Sequence, residues 1–392
     1  MKHNDEIAAA FDSIRIGASD VLSLIETTAP GGIPTFSYLT GGYERGESYD
    51  PDHWASFQWA GFLTGRLWLT AQHFSDDRIR QAADVVSRTV ARTLAARPPK
   101  FSAAGSDLFY SACLGARVTG DSDLADAALA ATRRYAENFV PEIDAFLQVP
   151  GVNRAVIDTG LNLLPFYWAA EREPALLDFA VCHNRALLRA GIVRDDGSVY
   201  QAIEFRPGTA EPRRRYNMQG CSDSTTWARG QSWAMHNYTN AFEATGDAEF
   251  LDVARAASRW YVEHLPADNV PHYDFGDPAI PHVPRDSCSA AISANALLKL
   301  AALDPASASW ALPAGRAIID ELVAHYLSPG GVLLRGSWGR LPPEKAGAGI
   351  SRFPLEDVMP YGNYWIVEAL YRCSHDDWSL LSLSTNNEER IR

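Results

Sequence analysis

The sequence predicts an all-α protein built from helical hairpins, stacked as a solenoid or closed into a toroid of helix pairs. Three observations carry that expectation. Long runs place apolar residues at i, i+3, i+4 and i+7, the spacing of a helix with one buried face. Short acidic or Gly/Asp turns interrupt those runs: SDD at 75–77, GDSD at 120–123, EREP at 171–174, GDAE at 246–249, DPAS at 304–307 and HDD at 375–377. No strand–helix alternation runs through the chain, which argues against a doubly wound sheet.

Segment 5–26 supplies a first helix. After the first turn comes IRQAADVVSRTVARTL from 79, after the second LADAALAATRRYAENFV from 124, and after the fourth FLDVARAASRWYVEHL from 250. Asp, Ser or Pro at the front of such runs gives an N-cap or first-turn signal. A hairpin recurring every ~45–75 residues is the mark of a repeat architecture. Five pairs are plain, and 5–26 offers the partner helix for a sixth. Segments 28–53, 193–222, 264–288 and 329–362 are rich in Gly, Pro, Asp and aromatics and read as long rim loops, the usual place for function. Within them GSVYQAIEF at 197–205 alternates enough for a short strand, as part of a rim hairpin. No Pro/Gly-rich linker divides the chain, so 1–392 reads as one domain.

Composition narrows the function. With 35 Lys and Arg against 48 Asp and Glu, the net charge is −13. That argues against nucleic acid or an anionic membrane as partner. Eleven Trp, 15 Tyr and 16 Phe supply flat rings suited to sugar faces, although core packing accounts for most of them. The N-terminus shows no basic segment followed by an apolar one, and no 18-residue apolar stretch occurs. Five scattered cysteines form neither a disulfide framework nor a zinc ribbon. Free thiols in a reducing cytoplasm follow. The ten His are dispersed, and no dinucleotide, phosphate-loop, zinc-protease or nucleophile-elbow motif is present, so no cofactor or metal is expected.

Five constellations could carry chemistry, the last two chiefly as loop architecture with a share in the pocket wall. In GSDLFYSACLGARVTGD, Asp107 precedes an apolar helix, where capping is the plain role. In NRAVIDTGLNLLPFYWAA, Asp158 lies among Val156, Ile157, Leu161 and Leu163, with Asn162 one turn on. Burial there raises a carboxyl pKa toward neutrality. Two Asp at like points of successive hairpins project from one rim, and paired carboxylates are what glycoside chemistry needs. In RRRYNMQGCSDSTTWARGQSWAMHNYTNAF, Arg229 and Trp233 share one helical face and Trp227 lies at the helix start. An Arg fork grips a carboxylate, beside an aromatic that supports a ring. Asp286 or Ser287 caps a later Ala/Ser-rich helix, and PLEDVMPYGNYWIVEAL enters the last one. Arg213, Arg214, Arg215, Arg229, Arg285 and Arg352 fall in or beside the rim loops, so a positive mouth on an acidic body is expected.

The run QGCSDSTTWARGQSWAMHNYTNAF closely resembles the signature of unsaturated glucuronyl hydrolases, glycoside hydrolase family 88. The resemblance extends through VIDTGLNLLPFYWAA, DFGDP, PRDSCSAAISANALLKLA and VMPYGNYWIVEALYR, from about residue 50 to 372. It implies an (α/α)6 barrel. It also implies removal of a non-reducing-end 4,5-unsaturated uronyl residue from lyase-derived, anionic oligosaccharides, by protonation of C4 and hydration at C5. By the matching motifs, Asp158 is similar to the general acid/base and Asp107 to the second essential Asp, which orients substrate and raises the Asp158 pKa by like charge. Gln219, Arg229 and Trp233 match substrate-pocket positions.

Departures from the family pattern fall on recognition. Ser106 stands where the family has His before the first Asp, Met218 where it has His before the QG pair, Gln201 in place of a pocket His, and Leu63 in place of an aromatic. Ser106, Gln201, Met218 and Trp227 thus join the expected substrate wall. These losses of polar donors imply a different or less polar substrate. The alternatives are an inverting glycosidase or hydratase on the same barrel acting on a saturated sugar, and a sugar-binding protein without activity. A monomer or homodimer is compatible with the sequence.

Overall fold

The computed structural model describes residues 2–27, 33–37, 42–44, 49–50, 59–99, 104–149, 151–339 and 358–383. Its helices alternate between an outer and an inner ring. The outer helices are α1 (Lys2–Thr27), α3 (Asp77–Ala96), α5 (Ser122–Ala136), α7 (Leu177–Arg189), α9 (Ala248–Glu263) and α11 (Ala311–His325). The inner ones are α2 (Trp59–Phe74), α8 (Ala228–Thr245), α10 (Ser287–Leu303), α12 (Pro360–Ser374) and two composite rods. Rod α4 joins Ala104–Leu108, a π-turn at Phe109–Cys113, and Leu114–Thr119. Rod α6 joins a 3₁₀ segment, Ile157–Leu163, to Leu164–Ala169.

The ring closes. Helix α2 packs on α4, α4 on α6, α6 on α8, α8 on α10, α10 on α12, and α12 returns to α2. This selects the toroid over the open solenoid, and α1 covers the seam as the outer neighbour of α12. The fold is the expected (α/α)6 barrel.

Each ring follows from its residues. Inner helices are buried all round; α10 buries every residue from Ser287 to Leu300, and α12 from Pro360 to Arg372. Outer helices bury one stripe, as in α3 with Ile79, Ala82, Ala83, Val86, Ser87, Val90, Ala91 and Leu94. The acidic turns are the corners. Asp76, Asp121 and Asp247 cap α3, α5 and α9, accepting from Ile79 N at 3.2 Å, Leu124 N at 3.1 Å and Glu249 N at 3.0 Å. Each cap is worth about 1 kcal/mol. Gly120 and Gly246 end α4 and α8 in the left-handed region, at φ 69° and 71°. Only a residue without Cβ sits there cheaply, so one Gly–Asp pair stops an inner helix and starts the next outer one.

The strand expected within 197–205 is β2 (Ala202–Phe205). It is the centre of a three-stranded antiparallel sheet with β1 (Arg154–Val156) and β3 (Pro212–Tyr216), one strand more than the expected hairpin. Register pairs Arg154 with Glu204, Val156 with Ala202, and Ala202 with Tyr216. Strand β1 runs into α6, and the segment after β3 leads to α8, so the sheet stands at the rim where those helices begin. Among the described residues no helix is long and apolar enough to cross a membrane.

Candidate active site

The first turns of the inner helices converge on one mouth. They bring Gly61 from α2, Asp107 from α4, Asp158 from α6, Arg229 from α8 and Tyr361 from α12. Asp286 stands there too, as the N-cap of α10. Tyr361 reports the convergence: Arg229, Asp158, Cys288 and Asp107 all act electrostatically on its phenol, after burial, which raises its pKa most.

Asp158 lies in the 3₁₀ entry to α6, and no side chain caps that element. The residue is half-buried, opening to the mouth on one side, while its Oδ2 is fully buried without a hydrogen-bond partner. Burial raises its pKa to about 6; the Arg229 charge, its own backbone N–H and the Gln201 side chain pull the other way. Loss of hydration, rather than the like charge of Asp107 expected from the sequence, is the largest cause.

Asp107 is buried in the first turn of α4. Its carboxylate accepts from the Tyr49 hydroxyl at 2.8 Å and from Gly61 N at 2.7 Å, so it reaches beyond its own helix. The approach of α2 needs Gly61, because a Cβ there would lie 2.6 Å from the Asp107 Cα. Asn162 joins the two carboxyl segments. Its Oδ1 accepts from Ser106 N at 2.8 Å and its Nδ2 donates to the Asp158 carbonyl at 3.3 Å. Ser106, where a substrate contact was expected, is fully buried under that tether.

Arg229 is buried and ion-paired to Asp286 at 2.8 Å, and it also donates to the Ser337 carbonyl. Its guanidinium lies over the Trp227 ring at 4.6 Å and near Tyr361 at 5.6 Å. Trp227 is the buried N-cap residue of α8. Trp233, one turn beyond Arg229, meets Tyr361 edge-on at 6.4 Å and Trp365 at 6.2 Å.

Gln201 is buried and works as a clamp. Its Oε1 accepts from Met218 N at 2.8 Å and Gln219 N at 2.9 Å, while Nε2 donates to Gln219 Oε1 at 2.6 Å. Gln219 Nε2 donates onward to the Trp338 carbonyl at 2.7 Å. The two glutamine amides are thus occupied by protein. Leu63 lies wholly in the core. The expected ring of positive charge is also corrected. Arg213 pairs with Glu204, Arg214 with Asp223, Arg229 with Asp286 and Arg285 with Asp268, while Arg215 donates to the Ala190 carbonyl. Arg352 lies outside the described residues.

Comparison with known proteins agrees with this arrangement. The unsaturated glucuronyl hydrolase of Bacillus sp. (strain GL1) is 28% identical over 364 residues, covering 86% of this chain and 90% of the relative. Its solved structure superposes with a TM-score of 0.80 at 25% identity, over 94% of this chain and 96% of the other. The chain is thus similar to unsaturated glucuronyl hydrolases along most of its length. The unsaturated chondroitin disaccharide hydrolase of Streptococcus pneumoniae is 27% identical over 344 residues, 82% of each chain. An unsaturated glucuronyl hydrolase specific for heparin shares the fold, with a TM-score of 0.80 at 23% identity over 93% of this chain and 96% of that one. No family model matches the chain.

In this chain, three mouth residues escaped sequence reasoning: Tyr49, Gly61 and Tyr361. Tyr361 carried a signal, since it opens the last inner helix behind Pro360, in the same first-turn place as Asp107. Tyr49 and Gly61 carried none, because their bonds to Asp107 span 58 and 46 residues of chain.

Proposed function

We propose that the protein is a glycoside hydrolase that removes a non-reducing-end 4,5-unsaturated uronyl residue from lyase-derived oligosaccharides, acting as a single domain on an anionic substrate. The observation that carries this reading is the Asp158 carboxyl, raised to about 6 by burial, at a mouth it shares with the hydrogen-bonded Asp107. A carboxyl of that kind is a proton donor near neutrality.

The reaction needs one such group. The Asp158 acid gives its proton to C4, the C4=C5 electron pair forms the new C–H bond, and positive charge spreads over C5 and the ring oxygen. Asp107, held by Tyr49 and Gly61, orients the sugar and offsets that charge. Water adds at C5 and gives a proton back to the Asp158 carboxylate. The resulting hemiketal opens at the C5–O bond, and the hemiacetal left at C1 releases the leaving sugar. Arg229 steadies the conjugate base, and the Trp233 and Tyr361 rings wall the site. Because Ser106 is buried and the Gln201 and Gln219 amides are engaged by protein, the reading is of a sugar wall recognised by shape and aromatic faces. The free state of all five cysteines supports a reducing, cytoplasmic setting.

The experiment follows ultraviolet absorbance of unsaturated disaccharides as the conjugated double bond is consumed. Wild type bleaches the signal and Asp158→Asn abolishes bleaching, with a loss of about 10³-fold or more for removal of a general acid. With the acid form required, kcat/KM falls as pH rises through about 6. Cleavage of saturated glycosides with no bleaching would overturn the reading.

A further inference from the structure

Two rim arginines, Arg154 and Arg215, have no carboxylate partner among the described residues, and Arg154 is the one nearer Asp158 in the chain. Arg154 opens β1, four residues before Asp158, so at ~3.3 Å per residue their backbones lie within ~13 Å, a reach that a further sugar ring covers. Its side chain is half-buried. Its Nε donates to Gln148 Oε1 at 2.7 Å and its Nη1 to the Tyr216 hydroxyl at 3.3 Å. Both acceptors are neutral. Glu204, its cross-strand neighbour, is engaged by Arg213 at 3.1 Å, and Asp223 by Arg214 at 2.5 Å. No carboxylate among the described residues pairs with Arg154. The Arg214 guanidinium meanwhile lies over the Tyr216 ring at 4.6 Å, so two guanidinium groups meet at one tyrosine.

A guanidinium has five N–H donors in a planar fork. Two are directed at neutral oxygens here, which leaves the others for a ligand. A half-buried cation without a counter-ion is under-compensated, and an oxyanion meeting the fork makes the stronger, charge-assisted kind of hydrogen bond. In a chain of net charge −13, that fork is a place where an acidic group gains.

We propose that the sheet face bearing Arg154 and Tyr216 is a subsite for an acidic group, a sulfate ester or a carboxylate, on the leaving portion of the oligosaccharide. The inference rests on the hydrolase reading for its substrate and deepens it. Arg154 sets which leaving sugar is preferred and takes no part in protonating C4.

The test uses the full chain and three unsaturated disaccharides of one linkage, whose leaving sugar is neutral, sulfated or carboxylated. Wild type favours an acidic leaving sugar, and the arm it favours identifies the group. Arg154→Gln lowers kcat/KM for that arm about tenfold, through KM, and leaves the neutral disaccharide within about twofold, in keeping with the loss of one charge-assisted contact at a half-exposed site. Added salt erodes the preference of wild type but not of the variant, and Arg154→Lys restores part of it. Turnover of the neutral substrate certifies that the variant is folded. An equal effect on all three arms, or none on any, overturns the subsite. If wild type bleaches no substrate, the hydrolase reading is what fails. Calorimetric binding of the same disaccharides then still decides the subsite, and acidic ligands binding no tighter than neutral ones, or equally to Arg154→Gln, overturn it.

Discussion

At the scale of single residues, Asp158 takes its acidity from the apolar residues on either side of it in the chain. Val156, Ile157, Leu161 and Leu163 are all buried around it, and burial raises its pKa. That shift has a thermodynamic side. A carboxyl at 3.8 when unfolded and about 6 when folded binds more protons in the folded state between those values. Folding therefore loses stability as pH rises from about 4 to about 6, and the loss persists above. Asp158→Asn has no such group to ionise. Its gain over wild type should grow across that interval and level off at up to about 3 kcal/mol, at 1.36 kcal/mol per unit. Denaturation at pH 4 and pH 8 checks this, and an equal gain at both values refutes it. The roles of Gln201 and Ser106 were not readable, because a polar residue at a pocket position looks the same whether it faces a ligand or its own backbone.

Among the elements, the Gly–Asp corners were legible, since capping and left-handed turns are local chemistry. The meeting of helices α4 and α6 was not, because it depends on close packing between distant segments. Gly105 allows it: a Cβ there would lie 2.1 Å from the Asn162 carbonyl oxygen. The tether is Asn162, 1% exposed. Asn162→Ala leaves the buried Ser106 N–H without its acceptor, at a cost of about 1–3 kcal/mol. It also frees the Asp107 and Asp158 segments to drift apart, so kcat should fall with little change in KM. Thermal melts and steady-state rates measure the two effects separately. The π-turn inside α4 had no counterpart in the sequence pattern, because one extra residue in a turn barely disturbs an apolar run.

Over the whole molecule, hairpin periodicity implied the number of helix pairs, and ring closure required the contact of α12 with α2. The inner ring is polar at the end far from the mouth. Lys299 of α10 pairs with Glu243 of α8 and donates to Asn240 Oδ1 at 2.5 Å, while Arg372 and Glu368 of α12 pair at 2.8 Å. All four charged side chains are buried. Lys299→Met takes the buried cation away from Glu243, at a cost of about 3–5 kcal/mol. The variant should melt well below wild type yet keep its KM, since the mouth lies at the opposite end. An unchanged melting temperature would count against a fastening role for this floor.

That every inner helix begins at the mouth has an electrostatic consequence. Each helix carries a macrodipole whose amino end behaves as a fraction of a positive charge, roughly half an elementary unit at most. Six such ends point toward one opening, while the outer helices run the other way and lie farther from it. Backbone dipoles therefore draw an anionic sugar inward although the rim arginines are mostly neutralised and the body is acidic.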